Sequence, residues 1–379
     1  MGSSSSSHHH LLLPFFFFFF LFTFPLASLA ALPNLRLMNA YIALQAWKSV
    51  IYSDPKMVTS TWVGEDVCNY TGVFCALALD DNCTRVVAGI DLNHKDIGGE
   101  LPEELGLLTD LALFHINSNR FCGTIPESFA HLTLLYELDV SNNLLSGEFP
   151  EVVLYLPSLK FLDIRYNGFE GSLPSKLFDL KLDALFVNNN KFQMKIPKNI
   201  GNSAVSVLVL ANNGIKGCLP RSIGKMTSLR EILLLNNSLS SCIPEEIGYL
   251  KNLTVLDVGF NELVGSLPES LGELKNLEQL NVAHNKLSGV IPASICELPR
   301  LRNFTYSYNY FCDAPQKCLN LPRSNDRQNC IHYRPYQRSE EECEAFLSHP
   351  VDCQAVSCDP LRPPPPPPVL PPHDYTPWP

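Results

Sequence analysis

Basic side chains are in short supply in this chain of 379 residues: Lys and Arg number 28 against 38 Asp and Glu, a formal net charge of −10. Such a balance weighs against nucleic acid as a partner and favours a cationic one. Long apolar runs are missing after Leu26, so no later segment is expected to span a membrane. No Ser, His and Asp fall into a triad, and no histidine stands at ligand spacing from the cysteines, which argues against hydrolysis and against a zinc site. Neither catalysis nor a cofactor or metal is expected.

What the chain has in abundance is repetition. Asn119, Asn143, Asn167, Asn190, Asn213, Asn237, Asn261, Asn285 and Asn309 form a column at intervals of 23 or 24 residues. Around each runs the pattern apolar-x-apolar-x-x-Asn-x-apolar-x-Gly-x-apolar-Pro, as in Leu138, Val140, Asn143, Leu145, Gly147, Phe149 and Pro150. The apolar-x-apolar core is a short strand that cannot bury its inner face alone, and stacking the units solves this. The inward asparagine amide can pair with backbone groups that would otherwise be buried and unsatisfied, at about 1 to 3 kcal/mol each. The first unit carries Lys95 in its place, as suits a terminal turn that faces a cap. Glycines from Gly99 to Gly289 permit a tight bend and prolines from Pro102 to Pro292 fall on the back; Met194 and Ser241 interrupt the glycine column, where irregularity is expected. The pattern is that of leucine-rich repeats, in a form resembling those of plant extracellular proteins. The expected fold is an α/β solenoid: a plant-type leucine-rich repeat horseshoe of about ten repeats with an N-terminal cap and a C-terminal cysteine-rich hinge.

Residues 1–30 read as a secretory signal peptide, with the apolar run Leu11 to Leu26 followed by small Ser28 and Ala30. The alternative, a membrane anchor, needs about 20 apolar residues with flanking charge. Export puts the chain in an oxidising compartment. Five sequons agree with it, at Asn69, Asn82, Asn236, Asn252 and Asn303. Residues 31–85 form the expected cap. Leu37, Ala40, Tyr41, Leu44, Trp47 and Ile51 are spaced for a helix, and Trp62 followed by Cys68 and Cys75 resembles the disulfide-closed cap of plant repeat proteins, which implies a Cys68–Cys75 bridge. The repeats are assigned to 86–311, the cysteine-rich hinge to 312–360 and a proline-rich tail to 361–379.

Thirteen cysteines in an exported chain imply disulfides with at least one thiol left over. Cys218 and Cys242 hold the same repeat position one turn apart, at roughly 5 Å, so a mutual bond is one reading and two buried thiols the other. Cys83 and Cys122 are candidates for a mutual or an intermolecular bond. Cys312, Cys318, Cys330, Cys343, Cys353 and Cys358 crowd a polar segment to be held by bridges more than by a core. Beyond them runs Pro363 to Pro368, for which polyproline II is the sensible conformation.

The order of solenoid, cysteine-rich segment and proline tract resembles the leucine-rich repeat extensins of plant cell walls. The likeness is carried by Asp91 to His115, Asn117 to Gly123, Asn281 to Asn285 and Asn303 to Asn309. It implies a secreted cell-wall protein whose repeat domain binds small basic signalling peptides of the rapid-alkalinisation class. It further implies a role in wall formation and integrity, with a homodimer and contact with pectin as accompanying partners. The tail departs from that family, having no Ser-Pro-Pro-Pro, so the expectation there is a short, more soluble member or a truncated one.

On the inner face, residues two and four places before each asparagine project outward. Asp139 and Asp163 fall side by side about 5 Å apart, a repulsion of roughly 0.8 kcal/mol even in water that a cation would relieve. Phe161, Phe186 and Phe260 are large side chains on a face with no folding reason to keep them, and such rings beside Arg165 make anchors. The candidate peptide-binding residues are Asp91, His94, Glu137, Asp139, Phe161, Asp163, Arg165, Phe186, Asp257 and Phe260. The bland alternative is that Asp139 and Asp257 are ordinary repeat residues. Because these carboxylates line an open surface, nothing is expected to drive their pKa values apart. An inhibitor of pectin-degrading enzymes, which shares the repeat form and the cap, is the alternative function; it predicts a compact end with no hinge.

Overall fold

A computed structural model describes Gly2, residues 34–353, and residues 355, 356 and 358. The expected signal peptide and proline tail lie outside the described residues. Among those described, no helix is long and apolar enough to cross a membrane.

Residues 34–353 form a coil of stacked turns, one wall of which is a 12-stranded sheet. Its first two strands, Val73–Leu77 and Arg85–Asp91, pair antiparallel; every later neighbour is parallel, through Leu113–His115, Glu137–Asp139, Phe161–Asp163, Ala184–Phe186 and on to Asn303–Thr305 and Arg323–Asn325. Each three-residue strand from Leu113–His115 to Asn303–Thr305 buries its middle residue, such as Leu138, Leu162 or Leu185, against the stack and leaves most of the flanking residues half-buried or exposed on the other side.

The asparagine column explains why so short a strand is stable. Asn143 Nδ2 donates to the carbonyls of Ile116, Val140 and Ser141, and its Oδ1 accepts from Phe121 N. The same exchange recurs at Asn261 and Asn285, so each amide ties its own turn to the one before it. After the asparagine the chain bends through glycine at positive φ, +91° at Gly147 and +81° at Gly289, a region other residues enter at a cost. Each proline from Pro102 to Pro268 then leads into a five-residue 3-10 turn, as Pro150 does for Glu151–Tyr155, and Pro292 into the short α-helix Ala293–Cys296. A second, smaller set of parallel strands follows the asparagines, and it breaks after Lys191–Phe192 and again after Ser238–Leu239, beside Met194 and Ser241.

At the start, the helix Leu35–Val50 is capped by Asn34, whose Oδ1 accepts from Arg36 N and Leu37 N. It lays Ala40, Ala43, Leu44 and Trp47 over the open end of the stack. Trp47 meets Trp62, Phe114 and Phe121 at ring-centroid distances of 5.5 to 5.7 Å, and Cys68 is bonded to Cys75 beneath it.

The C-terminal end corrects two expectations. The stack does not stop at residue 311: Arg323–Asn325 adds a strand, and Asn329 accepts from Phe311 N and donates to Tyr306 O, the ladder role one turn further on. This turn escapes the sequence pattern because Asn329 comes 20 residues after Asn309 instead of 23 or 24. Nor do Cys218 and Cys242 bond to each other. Cys218 joins Cys358 and Cys242 joins Cys353, with Cα separations of 5.4 and 5.5 Å. The two cysteines lie past the ends of the strands Lys216–Gly217 and Ser238–Leu239, whose register offset of 22 residues does not bring positions 24 apart opposite each other, and the C-terminal segment supplies both partners. Cys296–Cys318 and Cys330–Cys343 complete the set, while Cys83, Cys122 and Cys312 are free, so the suggested Cys83–Cys122 bond is absent.

Candidate functional site: the inner sheet face

Register pairing places Asp91, His115, Asp139, Asp163, Phe186, Val209, Leu233, Asp257, Asn281 and Thr305 in one row across the face. Six of the ten candidates are brought together on three adjacent strands and the bend after them: Glu137, Asp139, Phe161, Asp163, Arg165 and Phe186. Asp91 lies two strands away, with His115 between, and His94 sits in the bend beside it at φ 58°, its carbonyl taken by Lys56 Nζ. Asp257 and Phe260 stand four strands beyond Asp163, about 19 Å at the usual strand spacing, and belong to a separate cluster.

Within the central group the chemistry is uneven. His115 Nε2 approaches Glu137 Oε2 at 3.0 Å, and Asp139 Oδ1 accepts from Ser141 N and Oγ at 3.0 and 2.6 Å. Asp163 is not an exposed carboxylate as the repeat pattern implied: it is fully buried. Its register partner Phe186 stands beside it, Arg165 Nε lies 3.0 Å from its Oδ2, and the Arg165 guanidinium is held over the Phe186 ring at 5.0 Å. Burial first, then the neighbouring Asp139 charge, pushes the Asp163 carboxyl up to about 7, with Arg165 and its own N–H bond pulling the other way. The expectation that nothing would separate these carboxylates fails because aromatic neighbours exclude water at one of them. Asp257 is likewise raised by burial, opposed by bonds from Gly259 N and Asn281 Nδ2.

Two features escaped the residue list. Phe260, His284 and Tyr308 stack face to face at 4.0 and 4.1 Å along the bend that borders the face, each at positive φ. Their shared place, one residue before the asparagine, was the signal available for His284. Second, between the acidic group and Asp257 the face is largely apolar: Val207, Val209, Leu233, Leu235 and Val255 line it, half-buried or buried, around the single acid Glu231, which pairs in register with Val207 and Val255. The sequons differ in setting. Asn69, Asn82, Asn236 and Asn252 are exposed, whereas Asn303 is half-buried on the inner strand Asn303–Thr305.

Stacked parallel strands with an asparagine ladder, capped and bridged at both ends, define a plant-type leucine-rich repeat protein. A family model described as a leucine-rich repeat region matches residues 142–322. Leucine-rich repeat extensin-like protein 5 of Arabidopsis thaliana is 74% identical over 348 residues, which cover 91% of this chain and 40% of that relative. Leucine-rich repeat extensin-like protein 7 of the same plant is 65% identical over 328 residues, 86% of this chain and 76% of the relative. The chain belongs to the leucine-rich repeat extensin-like family. It spans less than half the length of some of these relatives. Among solved structures, the Arabidopsis receptor kinase HAESA in complex with the peptide hormone IDA and the co-receptor SERK1 is similar at 27% identity and TM-score 0.62, over 76% of this chain and 53% of that one. The plant peptide hormone receptor RGFR1 in complex with RGF2 gives 27% identity and TM-score 0.57, over 65% and 44%.

Proposed function

We propose that this is an extracellular cell-wall protein that takes a basic, cysteine-containing signalling peptide of the rapid-alkalinisation class on its inner face and so contributes to wall formation and integrity during growth. The observation that carries the reading is the acidic pair Glu137 and Asp139, flanked by Phe161 and Phe186 and continuing into the largely apolar strip. Carboxylates supply attraction and steering for a cation, and the half-buried rings supply the anchoring surface. Two similar folds are named as complexes with peptide hormones, which supports a peptide as the occupant. The test is calorimetric titration of a disulfide-bonded basic peptide into the purified protein. Micromolar or tighter binding is expected, weakened at least tenfold by Glu137→Lys with Asp139→Lys; no binding at micromolar concentration sinks the reading.

A homodimer belongs to the same proposal. Leu77, Leu79 and Tyr136 are exposed and line one cavity beside the first hairpin, whose connecting loop carries the exposed free thiol of Cys83. An apolar surface of this kind on an exported protein is suited to a second copy. Light scattering at monomer mass, with monomer alone on a non-reducing gel, removes the dimer. Wall pectin is a further partner class, tested by retention on pectate beads.

A further inference from the structure

The inner face is charged differently at its two ends. Over the strands Leu113–His115, Glu137–Asp139 and Phe161–Asp163 it presents carboxylates. Past the apolar strip and Asp257, the last two strands begin with arginine: Arg302 directly precedes Asn303–Thr305, and Arg323 opens Arg323–Asn325, where it pairs in register with Asn303. Arg302 and Arg323 are exposed and line one cavity of about 360 Å³ together with Glu278, Gln279, Asn303 and Pro322. Neither guanidinium has an ion pair or side-chain hydrogen bond with another described residue, whereas Arg36, Arg120, Arg165 and Arg334 each have a carboxylate within 3.0 Å. Two unpaired planar forks opening on one cavity match the geometry of a carboxylate, which accepts bidentate bonds. Glu278, the single acid of the lining, biases the cavity toward one anionic group and away from a polyanion.

We propose that this cavity seats a carboxylate of the bound peptide, most simply its C-terminus, so that the inner face holds its ligand in one direction: cationic residues over Glu137 and Asp139, apolar residues over Val209, Leu233 and Leu235, and the terminal carboxylate on Arg302 and Arg323. This rests on the peptide-binding reading above and adds a chain direction and an anionic end to it. From the strand of Asp139 to that of Arg323 is eight strand steps, about 38 Å, the reach of an extended segment of about twelve residues. A glycan on Asn303, whose side chain lines the same cavity, excludes the carboxylate, so occupancy of that sequon switches the site off.

The experiment compares two synthetic twelve-residue peptides, Lys- and Arg-rich at the N-terminus, Phe- and Leu-bearing in the middle and Gly-Ser at the end, one with a free C-terminal carboxylate and one amidated. Both are titrated into the full secreted chain carrying Thr305→Ala, which abolishes glycosylation at Asn303. The free acid is expected to bind about tenfold more tightly than the amide. Arg302→Gln with Arg323→Gln, both exposed positions, should abolish that difference while the amide's affinity stays within twofold. Asp139→Asn should weaken both peptides alike. Equal binding of acid and amide to the chain carrying Thr305→Ala alone, with Asp139→Asn still weakening both, overturns the carboxylate seat and leaves the peptide reading standing; no binding of either linear peptide overturns the carboxylate seat too, and the disulfide-bonded peptide titrated alongside then decides the peptide reading.

Discussion

Two parts of this molecule hold themselves together by different means. In the repeats, every turn is tied to its neighbour by an asparagine amide and a buried apolar layer, as at Asn261 with Leu256 and Val258. In the segment after Asn329, the helix Glu340–Leu347 buries none of its residues and is held by Cys330–Cys343, by Phe346 stacked on Tyr310 at 3.7 Å, and by the two returning bridges. Redundant, short-range bonding makes the first region tolerant of local loss; the second depends on a few covalent ties. The difference teaches that the same chain uses hydrogen bonds where the sequence repeats and sulfur where it does not.

Breaking the ties should separate the regions most visibly. Cys353→Ser with Cys358→Ser opens loops spanning 111 and 140 residues, a cross-link worth about 4 kcal/mol by chain entropy if the regions unfold as one. We expect instead that protease cleavage between Glu344 and Val356 rises about a hundredfold, by local opening, while the circular-dichroism melt of the repeats keeps its midpoint. A repeat melt that collapses together with the tail would erase the contrast. Next in size is Asn261→Ala, which orphans Leu239 N in the interior and leaves Leu234 O with only the Asn237 amide as donor, and should cost about 3 kcal/mol in urea unfolding. A loss under 1 kcal/mol would mean that the ladder is ornament and packing alone holds the turns.

Asp163→Asn sharpens the comparison within the repeats, because here a buried polar group opposes stability. Its folded pKa of about 7 lies above the ordinary carboxylate value, so the folded state binds the extra proton and stability falls as pH rises from about 4 to 7. The amide keeps an acceptor for Arg165 N and carries no charge. It should therefore stabilise by about 2 kcal/mol at pH 8 and by nothing measurable at pH 4. Equal gains at both pH values would show that the carboxylate is ionised throughout. Smallest is Asn34→Ala, which removes the cap of Leu35–Val50 and should cost about 1 kcal/mol of thermal stability.

Most of the repeat region was legible because its rule is periodic: a residue's distance from the nearest asparagine fixes whether it faces the core, as with Leu138 and Val140, or the open side, as with Glu137 and Asp139. The turn ending at Asn329 was hidden by its shortened spacing. Burial of Asp163 was hidden for another reason: it depends on Phe186 one turn away and on Arg165 folding over that ring, and a one-dimensional rule carries no information about cross-strand cover. The partners of Cys218 and Cys242 lie more than 100 residues ahead in a segment without periodicity, where spacing is silent.

The Cys218–Cys358 bridge also sets where mechanical load enters. A pull applied beyond Cys358 reaches the solenoid at Cys218, about four turns before the last asparagine of the regular column, instead of at the final strand. Tension arriving there acts across many parallel strands at once, so they share the force, whereas a pull on the end strand would peel them one at a time.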